Sequence, residues 1–266
     1  MELKDYLMYL VSVPVALYSL YEAWAVYDGV STLYTSNPEC FKKSANREYA
    51  FFGTLLVFCV TAMPLEHSFV RYFNLSLPED KFPLGSKERT VKALIMAERS
   101  FRVIVYTIFT GAAWWIMSKG NYLTILLGGN TWEPRYYIDY PCQPLPPYQD
   151  EFYLVKFAYH FYELMHLSIF LRKRRDFPEM LLHHLMSVVM ITYSYATALL
   201  PIGAAIMIIM DCSNIFMSLF KAVEIYPARL PIFVINLFVW LYMRVLVYPT
   251  FIYELYEQAG ATGHPV

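Results

Sequence analysis

The chain has 266 residues, of which 58% are apolar, 18% are aromatic and only 16% are charged. This composition is typical of an integral membrane protein rather than of a soluble domain. The net charge of -1 gives no reason to expect nucleic acid as a partner, and the length suits one helical bundle better than two independent domains.

Continuous apolar stretches recur along the whole chain. A membrane-spanning helix needs about 20 mostly apolar residues, and these stretches do not alternate in polarity as the strands of a barrel would. We therefore predict an all-α, polytopic membrane bundle of six or seven transmembrane helices. The candidate spans are residues 6–26, 49–63, 101–117, 152–171, 177–200, 202–221 and 231–253.

Local signals refine the first three spans. The N-terminal MELKDY is acidic and lacks arginine, so we expect the first span to be an anchor rather than a cleaved leader. The second span is expected to end at Pro64, with an interfacial stretch continuing to Phe73. Ser86 is predicted to cap a helix that runs along the membrane surface and then turns into the third span.

Lysine and arginine are concentrated in alternate loops. Most of them fall in segments 71–99, 172–175 and 221–229. Because positively charged loops stay on the cytoplasmic or matrix side, we predict that these segments lie inside and that loop 119–151 lies outside. This outside loop is rich in proline, which favours an extended cap over the mouth of the bundle.

Neither the cysteines nor the histidines have the spacing of a metal site. The four cysteines lack zinc spacing, and the adjacent His183 and His184 lack the i, i+4 spacing that lets two imidazoles on one helix share an ion. We predict no metal and no cofactor. Cys40 and Cys142 both fall in outside loops, where a disulfide and free thiols are alternatives, and we favour free thiols.

Ionisable residues lie inside the predicted spans, where they are costly and mark an interior site or a polar bridge between helices. His183 and His184 are in the fifth span and Asp211 is in the sixth, at similar depth if the turn between these spans is tight. Lys156 is close enough to the outer boundary to extend its ammonium into the interface. Arg244 is near mid-depth, and we predict Asp211 as its partner.

Polar residues also form two stripes at helical spacing. The stripes comprise Asp211, Asn214 and Ser218 on the sixth span, and His184, Ser187 and Ser194 on the fifth. We predict that the stripes face each other or a shared cavity. Adjacent residues are about 100° apart around a helix, so only one of the two histidines points into that cavity.

Two stretches in this region resemble a family signature. KRRDFPEMLLHH (173–184) and GAAIMIIMDCSN (203–214) are similar to the basic-Asp-Phe, His-His and His-Asp-x-Ser-Asp steps of the ceramide synthases in the TLC-domain family. YPCQPL and FVWLYMRVLVYP resemble the family as well. The resemblance implies N-terminal helices and loops (1–86), a TLC-like domain (87–253) and a short tail (254–266).

The resemblance also implies a reaction. Active members join a fatty acyl chain from acyl-CoA to the amine of a sphingoid base, within a lipid-enclosing helical barrel in the endoplasmic reticulum. This chemistry needs a base that takes a proton from an ammonium, and a histidine with a reference pKa of about 6.5, oriented by a carboxylate, is suited to that task. His183, His184 and Asp211 are the residues that would act.

Several positions depart from the signature. Met210 stands in place of its third histidine, Asn214 in place of its second aspartate, Ser218 in place of a glutamate and Pro201 in place of an arginine. Methionine cannot accept a proton and asparagine cannot carry a charge. The active relatives also carry one more span after the helix that contains Arg244, and we expect this chain to lack that last helix.

Three functions are open at this point. The one that we favour is a degenerate, non-catalytic TLC-domain protein that serves as a structural or lipid-binding subunit of a larger membrane complex, in the endoplasmic reticulum or the mitochondrial inner membrane. The others are a sphingosine N-acyltransferase and a lipid sensor or transport-related protein. Expected partners are membrane lipids and other membrane subunits on the face left by the missing helix. The expected lipid or cavity residues are Ser187, Met210, Asn214, Ser218 and Arg244.

Overall fold

Long helices dominate the described part of the chain. The computed structural model describes residues 35, 47–131, 136–137, 139–170, 172, 176–223 and 226–262. Within these ranges the β-type pairing is limited to an isolated bridge between Thr124 and Thr131, and the all-α class is confirmed. The predicted first span, residues 6–26, lies outside the described residues. The helices are α1 (Arg47–Ser76), α2 (Lys87–Met117), α3 (Gln149–Phe170), α4 (Phe177–Ala196), α5 (Leu200–Ala222), α6 (Tyr226–Leu241), a π-helical segment (Tyr242–Val247) and α7 (Tyr248–Thr262).

Helix α1 does not stop at Pro64, so the end predicted there is wrong. It continues to Ser76 as one helix. In lipid there is no water to hydrogen-bond a freed backbone, so a helix that absorbs a proline costs less than an unwound segment. The hydroxyl of Ser68 donates to the Pro64 carbonyl at 2.9 Å, close to the position where Pro64 cannot donate a backbone hydrogen bond.

Helix α2 begins where the sequence predicts and continues as one helix through the third predicted span. Ser86 is its N-cap, and the Ser86 hydroxyl accepts a hydrogen bond from the Arg89 N–H at 3.2 Å. The helix then runs without interruption to Met117, so the predicted turn between a surface helix and a span is wrong.

Arg89 fixes the junction between α1 and α2. Arg89 is 2% exposed, and its guanidinium donates to the backbone carbonyls of Asn74, Leu77 and Phe82 at distances of 2.6 to 2.9 Å. A cation at the carboxyl end of α1 also complements the negative end of that helix dipole. The two helices are therefore joined rigidly through a buried charge.

The last three segments form one continuous helical rod. Pro249 has no N–H, and its ring excludes the ordinary position of the Val245 carbonyl four residues earlier. The wider π-helical turn of Tyr242–Val247 accommodates this proline, and the helix continues to Thr262, beyond the expected end at Tyr253.

Among the described residues, four helical stretches are long and apolar enough to cross a membrane. They are Glu48–Ser76, Lys87–Met117, Leu200–Ala222 and Pro227–Gly260. The two other predicted spans in this part of the chain correspond to α3 and α4, in which polar side chains interrupt the apolar stretch. α3 carries four acidic or basic residues, and α4 carries the adjacent histidines.

Helix α3 is one of two helices, the other being α5, that each pack against four other helices. The neighbours of α3 are α1, α2, α4 and α5, and those of α5 are α2, α3, α4 and α6. Polar side chains on α3 are thereby enclosed by apolar neighbours.

The proline-rich loop between α2 and α3 covers one end of the bundle, as the sequence predicts. The Tyr140 hydroxyl donates to the Thr197 carbonyl at 2.8 Å, and the Gln143 side-chain amide donates to the Ala198 carbonyl at 2.6 Å. The loop is also tied to α7, because the Tyr136 N–H donates to Gln258 Oε1 at 3.1 Å. The cap is thus fastened to the α4–α5 turn and to the last helix.

The cysteine expectations are met only in part. Cys142, in the cap, is disulfide-bonded, so the free thiol expected there is wrong. Cys59 and Cys212 are free. Cys40, the partner that the sequence suggests, lies outside the described residues.

A close contact between α3, α4 and α5 depends on a glycine. The Tyr153 hydroxyl donates to Ser194 Oγ at 2.6 Å, and Ser194 Oγ donates to the Leu199 carbonyl at 3.0 Å. Gly203 lies directly against this chain of bonds, and a Cβ at that position would overlap both hydroxyl oxygens.

We predict that Gly203→Ala lowers the stability of the bundle by about 2 kcal/mol, because overpacking at a closed contact forces neighbouring side chains and backbone to move. Thermal unfolding in detergent measures the effect. Gly111→Ala is the matched control, since nothing lies within 4 Å of its added Cβ and alanine is the better helix former. Equal melting temperatures for the two variants would contradict the prediction.

Candidate functional site

The polar interior of the bundle is arranged along one face of α3. Lys156, Tyr159, His160 and Glu163 follow the i, i+3, i+4, i+7 spacing that places side chains on one side of a helix. Lys156 and Tyr159 are fully buried and Glu163 is 7% exposed. Two charged groups of opposite sign therefore lie about 10 Å apart along the helix axis, inside the bundle.

Lys156 pairs with Asp211, which α5 contributes. The ammonium contacts the Asp211 carboxylate directly, and both side chains are buried. The ammonium also lies 4.6 Å from the ring centre of Phe109 and 5.5 to 5.6 Å from those of Tyr159 and Tyr106. Aromatic faces attract a cation, so the rings support a charge that water does not reach.

This pair overturns two predictions. Lys156 does not extend to the interface, because the rings of α2 and α3 enclose it. Arg244 does not pair with Asp211. Instead Arg244 Nε donates to Ser213 Oγ at 3.0 Å, and its terminal nitrogen approaches the Met210 carbonyl at 3.5 Å.

Glu163 forms the second ionic group with residues of α2 and α4. Its Oε2 lies 3.1 Å from the Arg102 guanidinium and 3.6 Å from His184 Nε2. Glu98 also contacts Arg102 at 3.1 Å. Arg102 is 8% exposed and His184 is 4% exposed, so this group too lies in the interior.

The histidine pair divides as the sequence predicts. The His184 ring is buried beside Glu163, whereas His183 is exposed on the flank of α4. The two ring centres are 5.4 Å apart. Only His184 therefore contributes to the interior group.

The two predicted polar stripes meet α3 rather than each other. α4 packs more extensively on α3 than on α5. As a result His184 lies beside Glu163, and Asp211 contacts Lys156. The predicted cavity residues are dispersed. Ser187 donates back to the His183 carbonyl, Ser218 is buried, and Met210 and Asn214 are half-buried on α5.

Chemically, the interior holds two imidazoles with a ring nitrogen available for proton exchange, those of His184 and His160. His184 Nδ1 is buried and has no hydrogen-bond partner among the described residues, and the same is true of His160 Nδ1. No group of three metal-ligating side chains is assembled within the described ranges. The arrangement is a buried network of acidic, basic and ion-paired side chains.

Sequence reasoning predicted α3 as a span but missed the polar face on which both ionic groups depend. The signal was present, because Lys156, His160 and Glu163 recur at helical spacing within an otherwise apolar span. Lys156 was assigned to the interface because it is close to the end of the span, and its helical spacing from His160 and Glu163 was therefore overlooked. Arg102 was missed because it directly follows a charged segment that was assigned to the membrane surface.

Comparison with known proteins agrees with this architecture. Residues 95–265 match the family model described as the TLC domain, of the TRAM, LAG1 and CLN8 type. A sphingosine N-acyltransferase (lac1) of Schizosaccharomyces pombe is 40% identical over 96 residues, which cover 35% of this chain and 25% of that protein. Human ceramide synthase 4 is 30% identical over 157 residues, covering 54% and 40% respectively.

A further relative, ceramide synthase LAG1 of Saccharomyces cerevisiae, is 34% identical over 114 residues, which cover 42% of this chain and 28% of that protein. The chain thus spans between a quarter and two fifths of the length of these relatives. The family match, by contrast, extends over more than half of the chain and includes both ionic groups. The chain belongs to the TLC-domain family and is similar to the ceramide synthases.

Proposed function

We propose that this chain is a non-catalytic TLC-domain protein whose bundle is a structural or lipid-binding part of a larger membrane assembly. The observation that carries the proposal is the buried contact between Lys156 and Asp211. It gives the carboxylate of the signature a permanent counter-ion in place of a histidine.

Acyl transfer to an amine requires a base that removes a proton from an ammonium. In the signature an aspartate stands beside the histidines, and an imidazole oriented by such a carboxylate is the expected base. Here the Asp211 carboxylate is occupied by Lys156, and the neighbouring Met210 can neither accept nor relay a proton. The interaction that would orient the base is therefore replaced by a neutral ion pair.

The surroundings of His184 support the same proposal. Its nearest carboxylate is Glu163 at 3.6 Å, which is beyond the length of a good hydrogen bond. The same Glu163 oxygen is bound by Arg102 at 3.1 Å. A carboxylate already neutralised by a guanidinium has less capacity to stabilise a protonated imidazole.

The surface of the bundle supports membership in an assembly. Only 11% of the most apolar stretch of Pro227–Gly260 and 6% of that of Glu48–Ser76 are buried within the chain. These faces are open to lipid or to neighbouring membrane subunits. By resemblance to the ceramide synthases, the endoplasmic reticulum is the location that we favour over the mitochondrial inner membrane.

A second candidate is an acyl-CoA-dependent sphingoid-base N-acyltransferase that uses His184. The specific observation in its favour is that His184 is buried, has a free Nδ1 and lies near a carboxylate. In that case Glu163 would take the orienting role that the signature gives to its aspartate.

We predict that Lys156→Met lowers stability by about 3 kcal/mol or more, because it leaves the Asp211 carboxylate buried without a partner. Lys156→Met combined with Asp211→Leu should recover most of that loss, since an apolar pair replaces the ionic one. Thermal unfolding in detergent compares both with Lys119→Met, which removes an exposed lysine. If Lys156→Met alone is as stable as Lys119→Met, the ion pair does not stabilise the fold.

We expect no ceramide from the purified chain supplied with acyl-CoA and a sphingoid base, under conditions in which an authentic ceramide synthase is active. Product analysis by mass spectrometry is the measurement, with His184→Ala and the exposed-histidine variant His67→Ala as a matched pair. Turnover that survives His67→Ala but disappears with His184→Ala would refute the non-catalytic proposal and establish the second candidate.

Solubilised gently from its native membrane, the protein should migrate in a particle well above the 31.2 kDa of the chain. Light scattering with correction for bound detergent gives the protein mass. A particle that contains one chain and no other protein would contradict the assembly part of the proposal, while leaving the question of catalysis to the assay above.

A further inference from the structure

Arg244 lies near the middle of the membrane-spanning rod that α6, the π-helical segment and α7 form. Pro227 is about 26 Å away along the helix axis in one direction, and Gly260 is about 24 Å away in the other. The Arg244 guanidinium contacts two neutral groups, Ser213 Oγ at 3.0 Å and the Met210 carbonyl at 3.5 Å. Neither group neutralises the charge, and a charge at this depth of a membrane needs a counter-ion.

The carboxylate that attracts Arg244 is already paired. Asp211 is close enough to act on Arg244 electrostatically, but its carboxylate contacts the Lys156 ammonium directly. The three side chains together comprise two cations and one carboxylate. An excess positive charge therefore remains on the Arg244 side of α5.

The surface of the rod around Arg244 is open. Only 11% of the most apolar stretch of Pro227–Gly260 is buried, and the nearby Trp240, Leu241 and Val245 are 41%, 42% and 58% exposed. Arg244 itself is half-buried, between this surface and α5. An apolar helix that carries one carboxylate at the matching depth complements such a surface.

The predicted first span, residues 6–26, has this composition. Its sequence contains one charged residue, Glu22, and of the carboxylates outside the described residues only Glu22 falls within a predicted span. Because loop 119–151 is predicted to lie outside, the first span and the predicted span 231–253 both start on the inner side. Glu22 is then about 24 Å from the start of its span and Arg244 about 20 Å from the start of its own, a difference of less than one helical turn.

The connection between the first span and α1 permits the two charges to meet. Residues 27–46 can extend over about 65 Å, which exceeds the width of a helical bundle of this size. Cys142 of the cap is disulfide-bonded while Cys59 and Cys212 are free, so the partner left within the chain is Cys40. Because the cap is hydrogen-bonded to α7, this disulfide holds the loop after the first span at the end of the bundle where the rod terminates.

We propose that the first span of this chain packs against the rod and that the Glu22 carboxylate is the counter-ion of Arg244. The exposed face of α1 offers a similar apolar contact, but residues 48–70 contain no lysine or arginine. The charge of Arg244 therefore selects the rod. This inference does not rest on the proposed function, because partner subunits can still contact α1.

Photo-crosslinking of the purified full chain locates the first span. A benzophenone side chain at Val245 should capture residues within 6–26 of the same chain, whereas one at Val60, which is 61% exposed on α1, should not. Gel mobility separates capture within one chain from capture between chains, and peptide mapping by mass spectrometry identifies the segment. Capture of residues 6–26 from Val60 would overturn the proposal, as would capture of only lipid, detergent or a second chain from Val245.

Exchanging the two charges tests the ion pair. Glu22→Arg and Arg244→Glu should each lower the melting temperature in detergent by about 5 °C, because each brings like charges together. The double variant should recover most of this loss. Glu22→Arg combined with Arg71→Glu is the matched control and should show no recovery, since Arg71 is exposed near the end of α1. A double variant no more stable than the single variants, or an equal recovery in the control, would overturn the proposal.

Discussion

A buried lysine and a buried aspartate impose the strongest constraint on this bundle. Removing two charges from water costs several kcal/mol for each ion, and that cost is recovered only if the partners stay in contact. Lys156 on α3 and Asp211 on α5 therefore fix the relative position of two helices, and the rings of Tyr106, Phe109 and Tyr159 close around the ammonium. Much of the packing near α3 follows from the need to keep this pair dry and intact.

The second ionic group extends the same constraint to the neighbouring helices. Arg102 of α2, Glu163 of α3 and His184 of α4 meet about 10 Å further along the α3 axis. Together the two groups link four helices through α3. His184 and Asp211, which the sequence predicts to face each other, thus contact different partners on α3.

The interior and the outer surface of the bundle differ in polarity. The interior contains paired charges and aromatic rings, whereas a groove lined by Phe69, Val103 and Leu219 is apolar and open. The proline-rich cap is bonded to the α4–α5 turn and to α7, and it covers one end of the bundle.

The sequence by itself determined the helical class, the positions of α2 to α5, the Ser86 cap and the family, because apolar continuity, capping residues and signature spacing are local properties of the chain. It also indicated that only one of the adjacent histidines faces inward, since that follows from helix geometry. Only the tertiary structure decided which charges meet. Pairing depends on which helices are neighbours and how they are rotated, and α3 contacts both of the stripes that were expected to face each other. Local sequence rules also did not predict that α1 continues through Pro64. The surrounding lipid favours a continuous helix that a proline would interrupt in water.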